Sequence, residues 1–256
     1  MSCKPHNRRT GFTLAEMLIV IAIIGILMAM TAGAVFNVIR DAKEAAVRIE
    51  LTGLANAMRE YKIKYGSYPP LLSDTDAVSR HLRSRFPERS SDDADLPDEG
   101  NPAESLVFWL SGFGANPEYP VRDRDKGSPL FEFDQQRLCI IENEGKDLTC
   151  GPDVEDDALT MYFPKGLKKP YVYFDGFHTD GDGASSYTGS TYDGLSPYKM
   201  EGNKWVKDGS FQIISAGLDD QYGPAGVFPD GPYDPGGDDN MTNFVDKTLG
   251  DERESR

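Results

Sequence analysis

From Met17 to Ile39 the chain reads MLIVIAIIGILMAMTAGAVFNVI, a run without a charged residue. As a helix rising 1.5 Å per residue, that length spans a bilayer. Past Arg40 the pattern becomes amphipathic instead of ending. Val47, Leu51, Leu54, Met58, Tyr61 and Tyr65 recur at spacings of four, three, four, three and four, with Arg48, Glu50, Arg59, Glu60, Lys62 and Lys64 around them. That is one stripe of a helix. Gly66 and Pro69-Pro70 stop it, since proline has no N–H for the ladder and pushes its predecessor toward extended backbone. Phe12 to Tyr65 therefore reads as one helix of about 80 Å. Its first half is apolar all round, and its second half has a single face to bury.

Beyond Pro70 the elements are shorter. Asp74–Phe86 reads as a helix capped by Ser73 or Asp74. Ser90–Asn101 (SSDDADLPDEGN) is acidic and nearly free of apolar residues, which predicts a mobile loop. Glu104–Leu110 reads as a buried helix in preference to a strand. Leu130–Phe133, Arg137–Ile141, Tyr171–Asp175 and Phe211–Ser215 are aromatic or β-branched runs bounded by Gly, Pro or Asp, and so are strand candidates. No internal repeat is visible. The pattern predicts an α+β fold: a long N-terminal helix, membrane-spanning in its first half, packed on a small antiparallel β-sheet, with an Asp/Gly-rich C-terminal loop.

The residues before the apolar run carry the functional signal. Met1–Thr10 holds Lys4, Arg8 and Arg9 and no acid, which keeps the N-terminus cytoplasmic and places everything after Arg40 outside. Glu16 stands at the start of the span, where an unpaired carboxylate costs roughly 2.5 kcal/mol or more. A secretory signal peptide has its small-residue cleavage site after the apolar run. Here Gly11 precedes the run, and Phe12 follows it directly. The arrangement Gly11-Phe12-Thr13-Leu14-Ala15-Glu16 resembles the class III leader of type IV prepilins and type II secretion pseudopilins. The segment AVRIELTGLANAMREYKIKYGSYPP, with Tyr61, Gly66, Tyr68 and Pro69, resembles the major pseudopilins in particular. One departure is Gly33, where members of that family carry a proline.

The resemblance implies that a membrane-embedded prepilin peptidase cuts after Gly11 and methylates Phe12. It also implies that Glu16 neutralises the N-terminal amine of a neighbouring subunit during assembly. Residues 1–11 would be the leader, 12–39 the transmembrane or filament-core helix, and 40–256 an extracytoplasmic domain. The protein would be a single-pass inner-membrane subunit, not an enzyme. Its partners would be further pilins or pseudopilins and an inner-membrane assembly platform of a pilus or secretion system.

The formal charge is −15, and the head carries three of the 27 basic residues and none of the 42 acids, so cleavage leaves −18. Such a chain is a poor partner for nucleic acid. Cys3 belongs to the leader. Cys139 and Cys150 remain in a compartment that should be oxidising. A bridge between them closes a short loop and contributes about 2–3 kcal/mol; the alternative is a pair of free buried thiols.

Two Asp/Gly clusters invite Ca²⁺, which takes six to eight oxygens from carboxylates and carbonyls. The C-terminal one, Ser215–Gly223 followed by Gly237–Thr242, resembles the calcium loop of major pseudopilins. The resemblance assigns Asp219 to the first arm, Asp238 or Asp239 to the second, and the Leu218 carbonyl beside them. The glycine that follows the first acid in that family is Asp220 here. The second cluster, His178–Gly183, has Thr191 where an EF-hand needs its twelfth-position glutamate, and reads as a surface turn. The other class the sequence admits is a membrane-anchored binding protein or hydrolase on a pilin-type anchor. Its mark would be a pocket with perturbed titratable groups between Tyr171 and Lys207.

Overall fold

Helix α1 runs from Leu14 to Tyr65 in the computed structural model, which describes residues 12–93, 100–124, 127–142, 147–154, 158–176, 191–224, 226–233 and 236–256. The chain divides into two compact units, Met1–Glu44 and Ala45–Arg256. The boundary falls within α1. In the first unit Leu18, Ile19, Ile21, Ile23, Ile24 and Leu27 are all exposed. A helix apolar all round needs lipid or other helices around it. Among the described residues it is the one helix long and apolar enough to cross a membrane.

In the second unit α1 buries Val47, Leu51, Leu54, Met58 and Tyr61, with Tyr65 partly covered, so the expected stripe is the packed face. Helix α2 (Thr75–Arg85) starts where the Asp74 carboxylate accepts from the Ala77 N–H at 2.8 Å. Helix α3 (Pro102–Leu110) starts with a capping box: Asn101 accepts from the Ala103 and Glu104 N–H groups, and Glu104 accepts from Asn101 N–H at 2.8 Å. Its far end is closed by Arg124, which donates to the Phe108 carbonyl at 2.5 Å with its guanidinium 3.9 Å from the Phe108 ring centre. Trp109, fully buried, donates from Nε1 to the Pro70 carbonyl at 2.8 Å, and Tyr173 donates to Pro69 O at 2.7 Å. The segment that leaves α1 is thus held by two ring donors, which satisfy carbonyls that the prolines leave without a ladder.

The strands are β1 (Leu138–Glu142), β2 (Asp147–Cys150), β3 (Met161–Tyr162), β4 (Val172–Asp175), β5 (Lys199–Met200), β6 (Lys204–Trp205), β7 (Phe211–Ser215), β8 (Val227–Phe228) and β9 (Met241–Thr242). Among the described residues they form three small sheets, in the orders β2-β1-β3, β4-β7-β9 and β6-β5-β8. All pairings are antiparallel except β5 with β8. The fold is the expected α+β, with the anticipated sheet divided into three. Helix α3 packs on β3 and β4, and a terminal helix α4 (Leu249–Glu254) packs on the turn Gly237–Asp239.

One expectation fails. Leu130–Phe133 is not a strand: the Leu130 and Phe131 N–H groups both donate to the carbonyl of Leu110, and the Phe131 and Phe133 rings pack on Tyr162. The Phe131 ring also lies against Gly53 of α1, and the backbone here pairs with a helix end, not with a neighbouring strand. In the acidic segment after Ser90, residues 91–93 are turn and bend, without helix or strand. The Asp93 side chain is buried against Arg89 (2.7 Å) and accepts from the Arg122 N–H at 2.9 Å. Residues 94–99 of that loop lie outside the described residues.

His81 of α2 packs edge-on against Trp109 and shares a 2.9 Å hydrogen bond with the Tyr61 hydroxyl. Burial, assisted by the neighbouring Arg85, holds its pKa down at about 4. A histidine that titrates near 6.5 unfolded and near 4 folded contributes stability that is complete above pH 6.5 and is lost as pH falls toward 4. Replacing it with Gln should remove up to about 3 kcal/mol of the acid-induced loss across that window. Urea unfolding of wild type and His81→Gln at pH 7 and pH 4.5 reads the difference; equal losses in both proteins would refute it.

Candidate functional site

The start of α1 is closed by its own residues. The Thr13 N–H and the Thr13 hydroxyl both donate to Glu16 Oε2 at 2.8 Å, and the Glu16 N–H donates back to Thr13 Oγ1 at 3.2 Å. This is a reciprocal capping box, with the carboxylate at the positive end of the helix dipole. Glu16 therefore has local partners that offset part of the cost of its position. Its carboxylate lies within one helical turn of Phe12, which is exposed. The role of Thr13 was not anticipated, although Thr-x-x-Glu ahead of an apolar run is itself a capping-box signature. Gly11 lies outside the described residues.

The C-terminal loop is built on close approach of two segments. Gly217 has φ +72°, and a Cβ there would stand 2.2 Å from the Asp239 carbonyl oxygen. Only glycine lets the turn after β7 touch the turn before β9. Across that contact the Asp239 carboxylate accepts from the Leu218 N–H and from the Asp219 N–H, the latter at 3.1 Å. Asp219 accepts from the Gln221 N–H at 2.8 Å, and Asp220, at φ +59°, accepts from the Lys168 N–H at 2.6 Å. Burial first, then the nearby Asp239 and Asp220 charges, pushes the Asp219 carboxyl above the usual range. The structure thus brings Leu218, Asp219 and Asp239 together.

Asp238 is placed elsewhere. Its carboxylate pairs with Arg253 of α4 at 2.9 Å, so of the two acids assigned to the second arm only Asp239 reaches the first. Among the described residues no three His, Cys, Asp or Glu side chains converge as a metal cluster. Asp219 and Asp239 are the two carboxylates that meet on this glycine-built turn. The His178–Gly183 cluster lies outside the described residues. Cys139 and Cys150 face each other in the β1–β2 register and are joined by a disulfide.

A family model described as the prokaryotic N-terminal methylation motif matches residues 6–32. The chain carries a prepilin-type N-terminus. No curated protein and no solved structure gave a match. The match supports a type IV pilin-like protein processed by prepilin peptidase and anchored in a membrane, and such proteins are ordinarily structural. It ends inside the first unit.

The second unit of this pilin-like chain holds a polar cluster that the sequence did not disclose. Glu50 of α1 accepts from Tyr171 OH at 2.7 Å, Tyr162 OH at 2.8 Å and Arg137 Nη1 at 3.0 Å, and Arg137 Nη2 donates to its other oxygen. Burial, then the Glu50 charge, pushes the Tyr171 phenol well above its ordinary value. Glu50 sits beside the buried stripe, but nothing in the spacing named partners 87 to 121 residues away.

Proposed function

We propose that this protein is a structural subunit of a filament of the type II secretion pseudopilus or type IV pilus kind. The observation that carries the reading is the combination at the start of α1. A methylation motif leads into a helix that is exposed and apolar on every side, with one capped carboxylate at its beginning. In the membrane, lipid covers that surface. In a filament, the same surface of other copies replaces it, and Glu16 meets the amine that cleavage creates on a neighbour's Phe12. The exchange matches a buried charge with a buried charge, which fixes register as well as attraction. Intact mass and N-terminal peptide mass spectrometry of membrane-extracted protein test the first step. The expected product begins at N-methylated Phe12; a retained leader, or cleavage after the apolar run, would overturn it.

In the same reading a calcium ion is held by Asp219 and Asp239 with carbonyls of the Gly217–Asp220 turn, and would relieve the repulsion between those two carboxylates. A ligand that binds only the folded state adds about 2.7 kcal/mol at a hundredfold excess over Kd. The melting temperature of the processed protein in detergent is therefore expected to rise in millimolar Ca²⁺ and to respond weakly to Mg²⁺. Asp219→Ala should erase the response and Asp238→Ala should keep it, because Asp238 answers to Arg253. A wild-type melting curve indifferent to Ca²⁺ would remove the ion from the reading.

A further inference from the structure

The extracytoplasmic part of α1 presents a second ordered face. Ile49, Asn56 and Ile63 recur every seven residues, and Ile49 and Ile63 are 75% and 84% exposed. At 100° per residue this line lies opposite the buried stripe of Val47, Leu51, Leu54, Met58 and Tyr61, so the unit's own core cannot cover it. Arg48, Arg59 and Lys64 flank it against a single outward acid, Glu60, while Glu50 is turned in to Arg137. In a chain of net charge −15, an apolar line with a basic border is complementary to the rest of the molecule.

A matching surface exists elsewhere in the same unit. β3 pairs with β1 only at Leu138 and Cys139, so the hairpin β1–β2 continues past it, with β2 at the sheet edge. Ile141 and Leu148 are direct cross-strand partners on the face that carries Cys139 and Cys150, and they are 41% and 47% exposed. Isolated two-stranded hairpins are marginal in water. This one is braced at its base by the disulfide, which keeps its apolar pair side by side. From Asp134 to Cys150 the chain carries four acids against two bases; Asp134 is paired with Arg137 at 3.3 Å, and Asp147 opens β2.

We propose that the β1–β2 hairpin of one copy docks on the Ile49–Ile63 line of α1 in a neighbouring copy. The proposal rests on the filament reading and specifies one of its contacts. Ile141 and Leu148 meet Ile63 at the end of that line, and the net-acidic hairpin meets Arg59 and Lys64 beside it. The two patches are different surfaces, so the contact is heterologous, the kind that propagates into a helical filament when its rotation does not close a ring.

The test uses the full chain assembled in cells. A photo-crosslinking benzoylphenylalanine replaces Leu148, ¹⁵N-labelled and unlabelled subunits are mixed, and cross-linked peptides are read by mass spectrometry. Mixed-isotope links from position 148 to residues 45–65 of another copy are expected. Ile63→Asp should cut filament yield at least tenfold while its unfolding midpoint stays at the wild-type value, since the side chain stands open to solvent in its own subunit. Filaments that form with links only to other segments, or an Ile63→Asp protein that assembles at wild-type yield, would overturn this contact and leave the filament reading intact. Wild-type subunits that never assemble would overturn both.

Discussion

Glu16→Ala is expected to leave cleavage at Gly11 and membrane insertion intact and to abolish filament formation. The carboxylate serves two successive partners. In the isolated subunit it is held by Thr13 through hydrogen bonds to its N–H and hydroxyl. In the filament reading the second is the amine of a neighbour. Removing it costs the first state little, because a frayed first turn loses on the order of 1 kcal/mol. The second state would be left with an uncompensated buried amine, a loss of about 3–5 kcal/mol per subunit. Sheared-filament yield, normalised to processed subunit in the membrane, measures the difference. Glu16→Gln separates charge from hydrogen bonding: it keeps the cap and should still fail to assemble. Wild-type yield from either variant would leave Glu16 without an assembly role.

Glu50→Leu is expected to be the most damaging single change in the second unit. Its carboxylate is the meeting point of Arg137, Tyr162 and Tyr171, from three different strands or their flanks. Both charged side chains are only 18% exposed, so the loss leaves Arg137 largely buried without its acid. Breaking such a pair from one side costs about 3–5 kcal/mol. For a unit of this size that lowers the melting temperature on the order of 10 °C. Adding Arg137→Met should recover part of the loss, since removing both partners spares the stranded charge. Circular dichroism melts of the two single variants and the double variant close the cycle. Additive losses would mean that the ion pair contributes nothing as a pair.

The legible parts of this chain are those governed by local periodicity. The α1 stripe, the cap of α2 and strand β7 follow from spacings and cap residues within a few positions of one another. The motif ahead of α1 is legible for the same reason, since Gly11, Phe12 and Glu16 lie within six positions, whereas the capping role of Thr13 came from the structure. What the spacing does not reveal depends on distant partners. Leu130–Phe133 has the composition of a strand, but the Leu110 carbonyl claims its N–H groups. Asp93 looks like one more solvated acid until the backbone of Arg122 closes on it. Asp238 and Asp239 are indistinguishable as letters. They separate only because α4 returns to place Arg253 beside one of them, while Gly217 admits the other to the opposite turn.

The tryptophan beside the α1 exit has a practical consequence. The chain has two indoles, and they occupy unlike surroundings. Trp109 is sealed in the core and bonded to Pro70, whereas Trp205 is partly open, with the Lys199 ammonium 4.2 Å from its ring centre. Their emission spectra should therefore separate, blue for the first and red for the second. Because Trp109 rests on the residues that connect α1 to everything after it, the blue component is a built-in optical gauge of whether the packed part of α1 stays joined to the rest of its unit. It can be followed in intact subunits without attaching a dye.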